Sequence, residues 1–349
     1  MKKIILFLLA FTFLTGCQAA PAGEAVRDRS GVTVVMGPTS EPEAGFDPAF
    51  GWGAGEHVHE PLIQSTLTVT NPDLTIGYDL ATDMSVSEDG LTWTVTIRDD
   101  VNFTDGEPLT ASDVAFTYNT AKAASSVNDF TMLDYAEAAD EATVVFHMKT
   151  PFSIWAYTMA VVGIVPEHAY DPASYGSSPI GSGRYILKQW DRGQQIILDA
   201  NPDYYGEKPK MERVTILFME EDAAFLAVQA GQADLAYTSA PYAGQTVNGF
   251  SLMSVKSVDN RGVTLPAVFA SPSAVLTGNV FTGDNIMVRQ AINIGVDRQA
   301  MIDHVLNGYG TPAYSVCDGM PWYSPVNEIE YDRAKAAGLL DGAGWLAGP

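Results

Sequence analysis

The sequence predicts a mixed α/β fold divided into two or more lobes. The chain has 349 residues, which is more than one ordinary hydrophobic core organises. Its hydrophobic content of 46% is that of a folded globular protein. Segments with strand periodicity and segments with helix periodicity are mixed along the whole length, which argues against a helical bundle or a β-sandwich.

The N-terminus has the pattern of a secretory signal that ends in a lipobox. Lys2 and Lys3 precede an apolar run over 4–14, and Thr15-Gly16 leads directly to Cys17. Small residues before a cysteine mark the point where a signal peptidase cuts and the cysteine takes up lipid. An ordinary signal peptide with a chance cysteine is the alternative.

This pattern predicts how the mature chain is held at a membrane. The apolar run is shorter than the roughly 20 residues that a bilayer span needs, so it does not predict a membrane helix. We expect residues 1–16 to be the signal, Cys17 to carry the lipid and 17–30 to form a flexible tether. The protein would then be exported and anchored by lipid, in the periplasm or on the outer face of the plasma membrane.

Charge and cysteine content exclude two broad classes of protein. The formal net charge is −23, and such an acidic surface repels phosphate backbones, so we expect no nucleic acid as partner. There are two cysteines. If Cys17 carries lipid, Cys317 has no partner within the chain, which excludes a disulfide framework. Cys317 is predicted to be a small buried hydrophobe.

The first half of the chain contains strands and one well-marked helix. Strands are predicted at 32–36, 91–97 and 143–148. The second of these follows an Asp89-Gly90 turn and alternates apolar residues with threonines, as a half-buried strand does. Thr110 is predicted to begin a helix, with Asp113 three residues later as its capping partner.

The second half of the chain also contains both predicted strands and predicted helices. Strands are predicted at 195–200, 214–219 and 234–237. Asp222 is predicted to cap a helix that runs through Ala230, and further helices are predicted to begin at Asp284 and Asp297. The apolar segment 263–279 has no clear period.

No motif for covalent chemistry is present in the sequence. It lacks a glycine-rich nucleotide loop, a Gly-x-Ser-x-Gly elbow, a His-Glu-x-x-His zinc motif and paired Cys-x-x-Cys knuckles. We therefore expect a protein that is not an enzyme and needs no cofactor.

One polar constellation lies beside the glycine-rich segment 51–55. His57 and His59 would face the same side of a strand, which suits two imidazoles that share a metal. The alternative is a polar loop with its histidines bonded to backbone, because two ligands alone do not make a site. Trp52 is flanked by glycines and is a candidate surface for stacking on a ligand.

Several segments together carry a family resemblance. They are Asp47-Pro48, Glu60-Pro61-Leu62, Glu88 to Trp93, Ile97 to Gly106, Leu109 to Val114, Pro179 to Tyr185, Asn201 to Tyr205, Val288 to Ile292 and Val296-Asp297-Arg298. In this order they resemble the family 5 extracellular solute-binding proteins of ABC importers, which bind dipeptides, oligopeptides or nickel.

The resemblance implies a periplasmic-binding-protein-like type II fold with two lobes around a cleft and a third domain inserted in the first. It implies lobe I at 31–70 and 178–258, the inserted domain at 71–177 and a partial second lobe at 259–349. The protein would be a monomer that captures short peptides and delivers them to permease and ATPase subunits.

The resemblance also suggests site residues and leaves alternatives open. Trp52, Asn260 and Arg261 would line the cleft, with Arg261 pairing a carboxylate of the solute; a surface ion pair is the alternative for Arg261. The solute would otherwise be a nickel chelate, with His57 or His59 as ligand. From other classes, the chain would be a secreted metallohydrolase using the same two histidines, or a lipid-anchored sensor or chaperone without a permease.

Two departures from the family pattern affect these expectations. Arg184 replaces the usual proline of a glycine-rich motif, which either changes a turn or adds a cation near the cleft. Family members run on well beyond the stretch that corresponds to Leu339–Trp345 here. We therefore expect an incomplete second lobe.

Overall fold

The computed structural model describes residues 30–345 except 43, 51–61, 125–127, 256–258, 264 and 266–285. The strands are β1 Gly31–Met36, β2 Thr68–Thr70, β3 Ile76–Tyr78, β4 Ala81–Val86, β5 Thr92–Ile97, β6 Leu133–Ala138, β7 Thr143–Met148, β8 Tyr185–Asp191, β9 Gln195–Ala200, β10 Arg213–Phe218 and β11 Leu235–Ala236. The helices are α1 Ala111–Ala123, α2 Trp155–Met159, α3 Glu221–Gln229, α4 Ala240–Ala243, α5 Ile286–Gly295, α6 Arg298–Val305 and α7 Arg333–Gly342.

A five-stranded sheet joins the start of the chain to a segment far along the sequence. Its strand order is β11-β1-β10-β9-β8. Strand β1 is parallel to both neighbours, with Gly31 opposite Arg213 and Val34 opposite Leu235. The strands β10, β9 and β8 pair antiparallel. The sheet is built from the two separate ranges that the resemblance assigned to lobe I, and the strands predicted at 32–36, 195–200 and 214–219 are confirmed within about one residue.

A second sheet, with helices α1 and α2 packed on it, is formed by residues that lie in sequence between those two ranges. Its strand order is β4-β5-β7-β6, and all its pairs are antiparallel. The inner face of β5 and β7 packs against α1 and α2 through fully or almost fully buried Trp93, Val95, Phe146, Tyr118 and Trp155. The Asp89-Gly90 turn is confirmed, since Gly90 has a φ of +70° and its N–H donates to the Ser87 carbonyl at 2.9 Å.

The predicted start of α1 is confirmed in detail. Oδ2 of Asp113 accepts hydrogen bonds from the N–H of Thr110 at 2.9 Å and from its hydroxyl at 3.0 Å. The other oxygen of the same carboxylate accepts from the N–H of Glu167 at 2.9 Å. Asp113 is 6% exposed, and these three hydrogen bonds satisfy its carboxyl group inside the protein and tie α1 to the segment around Glu167.

The residues 286–345 form a small helical unit, here called the C-terminal unit. Helix α5 packs against α7, and a Cβ on Gly295 would lie 3.2 Å from Cβ of Ala336. Asp297 caps α6 as predicted, because its Oδ1 accepts from the N–H of Ala300 at 2.9 Å. The buried residues of these three helices are Val288, Ala291, Ile302 and Ala336.

Some predicted elements differ from the structure. Helix α3 begins at Glu221, and Asp222 lies in its first turn, so the prediction that Asp222 caps it is wrong. The carboxylate of Asp222 accepts only from the adjacent N–H of Ala223 among the described bonds, whereas a cap must reach further into the first turn. The strand predicted at 234–237 is shortened to β11. Cys317 was predicted to be buried, but it is a free thiol that is only half-buried. Within the described ranges, no helix combines the length and the apolar content needed to cross a bilayer.

Candidate functional site

The described structure contains two of the residues predicted for the site. Cys17, Trp52, His57 and His59 lie outside the described residues. Arg261 forms an ion pair with Asp259, with Nη2 at 2.6 Å and Nε at 3.0 Å from Oδ2, and its side chain is 90% exposed. This pair is the surface arrangement given above as the alternative for Arg261, and its contact with a solute stays a prediction.

Two amide side chains connect the C-terminal unit to the rest of the protein. Nδ2 of Asn307 donates to the carbonyl of Ala240 at 3.0 Å. Nδ2 of Asn260 lies 3.5 Å from the carbonyl of Val316, at the long limit of a hydrogen bond. Because Ala240 begins α4, shortly after β11, the C-terminal unit meets the five-stranded sheet beside the carboxyl ends of its parallel strands.

Those carboxyl ends are where an open α/β sheet binds ligands, since loops from neighbouring strands diverge there and leave a crevice. Strands β1, β10 and β11 are parallel and end together at Met36, Phe218 and Ala236. The chain continues from these ends into the short 3₁₀ turn Pro38–Ser40, into α3 and into the loop before α4. These three connections form the rim of the candidate site.

Glu221 ties two parts of this rim together. Its Oε2 accepts from the hydroxyl of Ser239 at 2.8 Å, and its Oε1 accepts from the hydroxyl of Thr238 at 3.2 Å and from the N–H of Ser239. The first residue of α3 therefore fixes the loop that follows β11. A carboxylate that accepts three hydrogen bonds holds both connections in one geometry.

Tyr237 is the most prominent side chain on the rim. Its N–H donates to the carbonyl of Val35 at 2.9 Å, which continues the pairing of β11 with β1. Its side chain is 67% exposed. An anchored backbone with a free aromatic ring is well suited to stacking on a bound molecule. Neither Glu221 nor Tyr237 was picked out from the sequence, although Glu221 lies two residues beyond the strand predicted at 214–219 and Tyr237 is the last residue of the strand predicted at 234–237.

An aromatic contact links the C-terminal unit to α2. The rings of Tyr157 on α2 and Trp322 lie edge to face, with centroids 5.7 Å apart. The hydroxyl of Tyr157 donates to the carbonyl of Leu74 at 2.8 Å, which fixes the ring from the other side. The C-terminal unit thus contacts both α4, which follows the five-stranded sheet, and α2.

A buried carboxylate fixes the chain shortly before residues 51–61. Asp47 is 2% exposed and accepts from the N–H of Ala49 and from the hydroxyl of Tyr170, each at 2.9 Å. Burial raises the pKa of Asp47, and these two hydrogen bonds oppose that rise. Nε2 of Gln64 donates to the carbonyl of Phe46 at 2.7 Å, which ties Gln64 to the segment around Asp47.

Close backbone contacts leave no room for a side chain at Gly181 or Gly183 in the glycine-rich motif at 181–183. A Cβ on Gly181 would lie 2.0 Å from the carbonyl oxygen of Ile63, and one on Gly183 would lie 2.5 Å from that of Leu62. The departure at Arg184 has a structural role, since its guanidinium lies 5.5 Å from the ring centroid of Tyr204. The motif thus holds the segment after residue 61 against the start of β8.

The described residues also form an open groove, and they contain no assembled metal site. An open groove of about 690 Å³ lies along α1, between Phe50 and the segment Glu167–Pro172, and none of the predicted site residues lines it. Among the described residues, no cluster of three or more His, Cys, Asp or Glu side chains is arranged to hold a metal ion.

Comparison with known proteins identifies the family. Residues 75–349 match the profile described as bacterial extracellular solute-binding proteins, family 5 Middle. The chain belongs to this family. Residues 1–18 match the lipid attachment site of prokaryotic membrane lipoproteins, a match that includes Cys17. The predictions of an exported, lipid-anchored protein and of the family are confirmed, while lipid on Cys17 itself stays a prediction.

Curated relatives are similar over nearly the whole chain. Protein XP55 of Streptomyces lividans is 34% identical over 359 residues, which cover 97% of this chain and 63% of that protein. The oligopeptide-binding protein AppA of Bacillus subtilis is 27% identical, covering 99% of this chain and 66% of that protein. The chain therefore spans less than two thirds of the length of these relatives.

Solved structures share the two-lobed fold of the family. NikZ of Campylobacter jejuni in complex with Ni(L-His) has a TM-score of 0.71 at 23% identity, covering 90% of this chain and 63% of NikZ. AppA of Bacillus subtilis in complex with a nonapeptide has a TM-score of 0.66 at 26% identity, covering 90% of this chain and 64% of AppA. The predicted mixed α/β, type II fold is confirmed.

Proposed function

We propose that this lipoprotein is the solute-binding component of an ABC importer and that its solute is a short peptide. The observation that carries the proposal is the 27% identity to an oligopeptide-binding protein over 99% of the chain. The chain would act as a monomer, pass its cargo to permease and ATPase subunits and leave the covalent bonds of the cargo intact. The domain boundaries given above are part of the same proposal.

The rim at the carboxyl ends of β1, β10 and β11 would be one wall of the binding site. Tyr237 would stack on a peptide side chain, because its ring is exposed while its backbone is held by Val35. Glu221 would keep the surrounding loops in place without touching the solute. Trp52, Asn260 and Arg261 would complete the lining, with Arg261 exchanging its exposed pairing with Asp259 for the carboxylate of the peptide.

Calorimetric titration with a pool of peptides up to nonapeptides tests the proposal. Tyr237→Ala should weaken binding, while Tyr78→Ala, which removes another exposed tyrosine on β3 of the inserted domain, should not. Arg261→Ala should weaken binding of peptides with a free carboxyl terminus and leave C-terminally amidated peptides unaffected. Arg213→Ala is the matched control, since Arg213 forms a similar surface pair with Asp199. Absence of heat with every peptide would refute the peptide proposal.

A nickel chelate is the second candidate solute. Its support is the fold similarity to NikZ in complex with Ni(L-His), together with the His57 and His59 pair in the sequence. Titration with nickel and L-histidine should give heat that is lost in the His57→Ala, His59→Ala double variant and kept in His304→Ala. Stoichiometric zinc with multiple turnover of any substrate would instead support the hydrolase interpretation.

A further inference from the structure

The open groove beside α1, called the α1 groove below, combines small side chains with aromatic rings. Ala115 and Ala123 of α1 line it, together with the rings of Phe50, Phe116 and Tyr170. The rings of Phe116 and Tyr170 lie edge to face with centroids 5.4 Å apart, and Phe50 is 44% exposed. Grooves with aromatic sides are surfaces on which polyproline II segments dock.

The length of the α1 groove suits such a segment. The groove follows α1 from Ser112, in the first turn of the helix, to Ala123, its last residue. A helix of 13 residues is about 20 Å long. A polyproline II segment advances about 3.1 Å per residue, so about six residues span the α1 groove.

Two of the polar side chains in the α1 groove are already hydrogen-bonded within the protein. Nδ2 of Asn119 donates to the carbonyl of Ala136 at 2.8 Å, and Oδ1 of Asn119 accepts from the N–H of the same residue at 2.9 Å. The hydroxyl of Tyr170 donates to the buried carboxylate of Asp47. An ordinary peptide that enters the groove therefore gives up hydrogen bonds from its backbone N–H groups to water and finds few in return. Proline has no N–H, so a proline-rich segment avoids this cost.

Glu167 places a carboxylate at the Ser112 end of the α1 groove. Its Oε2 accepts from the hydroxyl of Ser112 at 2.9 Å, and the residue is exposed to solvent. An arginine or lysine at the end of a bound segment can pair with this carboxylate. The net charge of −23 attracts such a cation from further away.

We propose that the α1 groove binds a proline-rich segment of another protein, with a basic residue next to its prolines. The chain itself is a poor source of that segment, because no two of its prolines are closer than four residues apart. None of the residues that we assign to the solute lines the α1 groove, so the inference does not rest on the proposed function.

Fluorescence anisotropy with labelled peptides and the full chain tests this inference. The probes have about nine prolines with an arginine at one end or the other, or a glutamate in its place. The better arginine probe should bind about two- to fivefold more tightly than its glutamate counterpart, and Glu167→Gln should reduce that difference. Glu88→Gln removes the same charge in the turn after β4, so it is the matched control and should leave the difference unchanged.

A second pair of variants tests the aromatic side of the α1 groove. Phe50→Ala should weaken the binding of every probe about fivefold or more, because it removes a ring on which prolines pack. Tyr135→Ala removes another ring that is 44% exposed, on β6, and should leave the affinity unchanged.

Several results would overturn the inference. Neither arginine probe binds, or an alanine-rich peptide of the same length and charge binds equally well. The variants at Phe50 and Glu167 have no more effect than their controls. Tyr237→Ala abolishes binding, which would place the peptide at the candidate site instead. If Phe50→Ala does not fold, Glu167→Gln carries the test by itself, since its amide oxygen still accepts from the hydroxyl of Ser112.

Discussion

The hydrogen bond from Tyr170 to the buried carboxylate of Asp47 makes a quantitative prediction about stability. Tyr170→Phe removes only the hydroxyl. The ring itself stays packed between Phe116 and Tyr175, whose ring centroids lie 5.4 and 5.3 Å away. Asp47 keeps the N–H of Ala49 as its remaining donor.

The loss of stability expected for Tyr170→Phe depends on whether Asp47 is ionised. A hydrogen bond to an ionised group contributes about 1.5–3 kcal/mol, and the partial exposure of Tyr170 reduces this to about 1–2 kcal/mol at neutral pH. The hydroxyl favours the ionised carboxylate, so its removal raises the pKa of Asp47 further above the ordinary value. The stability lost in Tyr170→Phe is therefore greatest while Asp47 is ionised. It falls to about 0.5–1 kcal/mol as the pH drops through the pKa of Asp47.

Urea denaturation over a series of pH values measures this difference. Tyr175→Phe is the matched control, because the hydroxyl of Tyr175 donates to the neutral carbonyl of Ile180 at 2.6 Å and its loss should be almost independent of pH. If the cost of Tyr170→Phe also stays constant with pH, then the hydroxyl does not stabilise the charge of Asp47 and the reasoning is refuted.

Three further predictions concern the inserted domain, the first sheet and the anchor. Trp155→Ala should lower the free energy of unfolding by about 3–5 kcal/mol through the cavity it leaves. Trp155→Phe should cost less, because a phenyl ring refills most of that cavity and the indole N–H that is lost has no described partner; equal losses in thermal denaturation would contradict this. The guanidinium of Arg213 lowers the pKa of Asp199, so Asp199→Asn should cost under about 1 kcal/mol at neutral pH and nothing once the pH falls below that depressed pKa; a pH-independent difference would be inconsistent. Cys17→Ser should abolish palmitate labelling of the chain in cells, and retained label would show that another residue carries the lipid.

Local chemistry explains the parts of the fold that could be predicted from sequence. Asp113 and Asp297 reach backbone groups only three residues away, so the starts of α1 and α6 depend on neighbours in the chain. Strand β7 was predicted without error because its apolar residues alternate strictly. Strand β8 was missed, since its pairing with β9 shifts register between Leu187 and Gln189 and the alternation is lost there.

The candidate site was harder to predict because distant segments form it. Glu221 and Ser239 become neighbours only when β11 joins β1, and no local pattern announces that pairing. The surface partner of Arg261 is visible in the sequence, since Asp259 stands two residues before it. The histidine pair and Trp52 lie outside the described residues, so their predicted roles stay predictions.

Strand β1 lies inside its sheet with a partner on each side, and this position has a consequence for the order in which the chain folds. A polypeptide that leaves the ribosome or a translocation channel N-terminus first releases β1 early, while its partners β10 and β11 follow only after the whole four-stranded sheet. That sheet is complete at Met148, and all its strands lie within residues 81–148, so it should fold first. Until Phe218 has emerged, β1 exposes two unpaired edges, and one of them stays unpaired until Ala236 has emerged. Chaperones that hold exported chains should bind β1 during this interval.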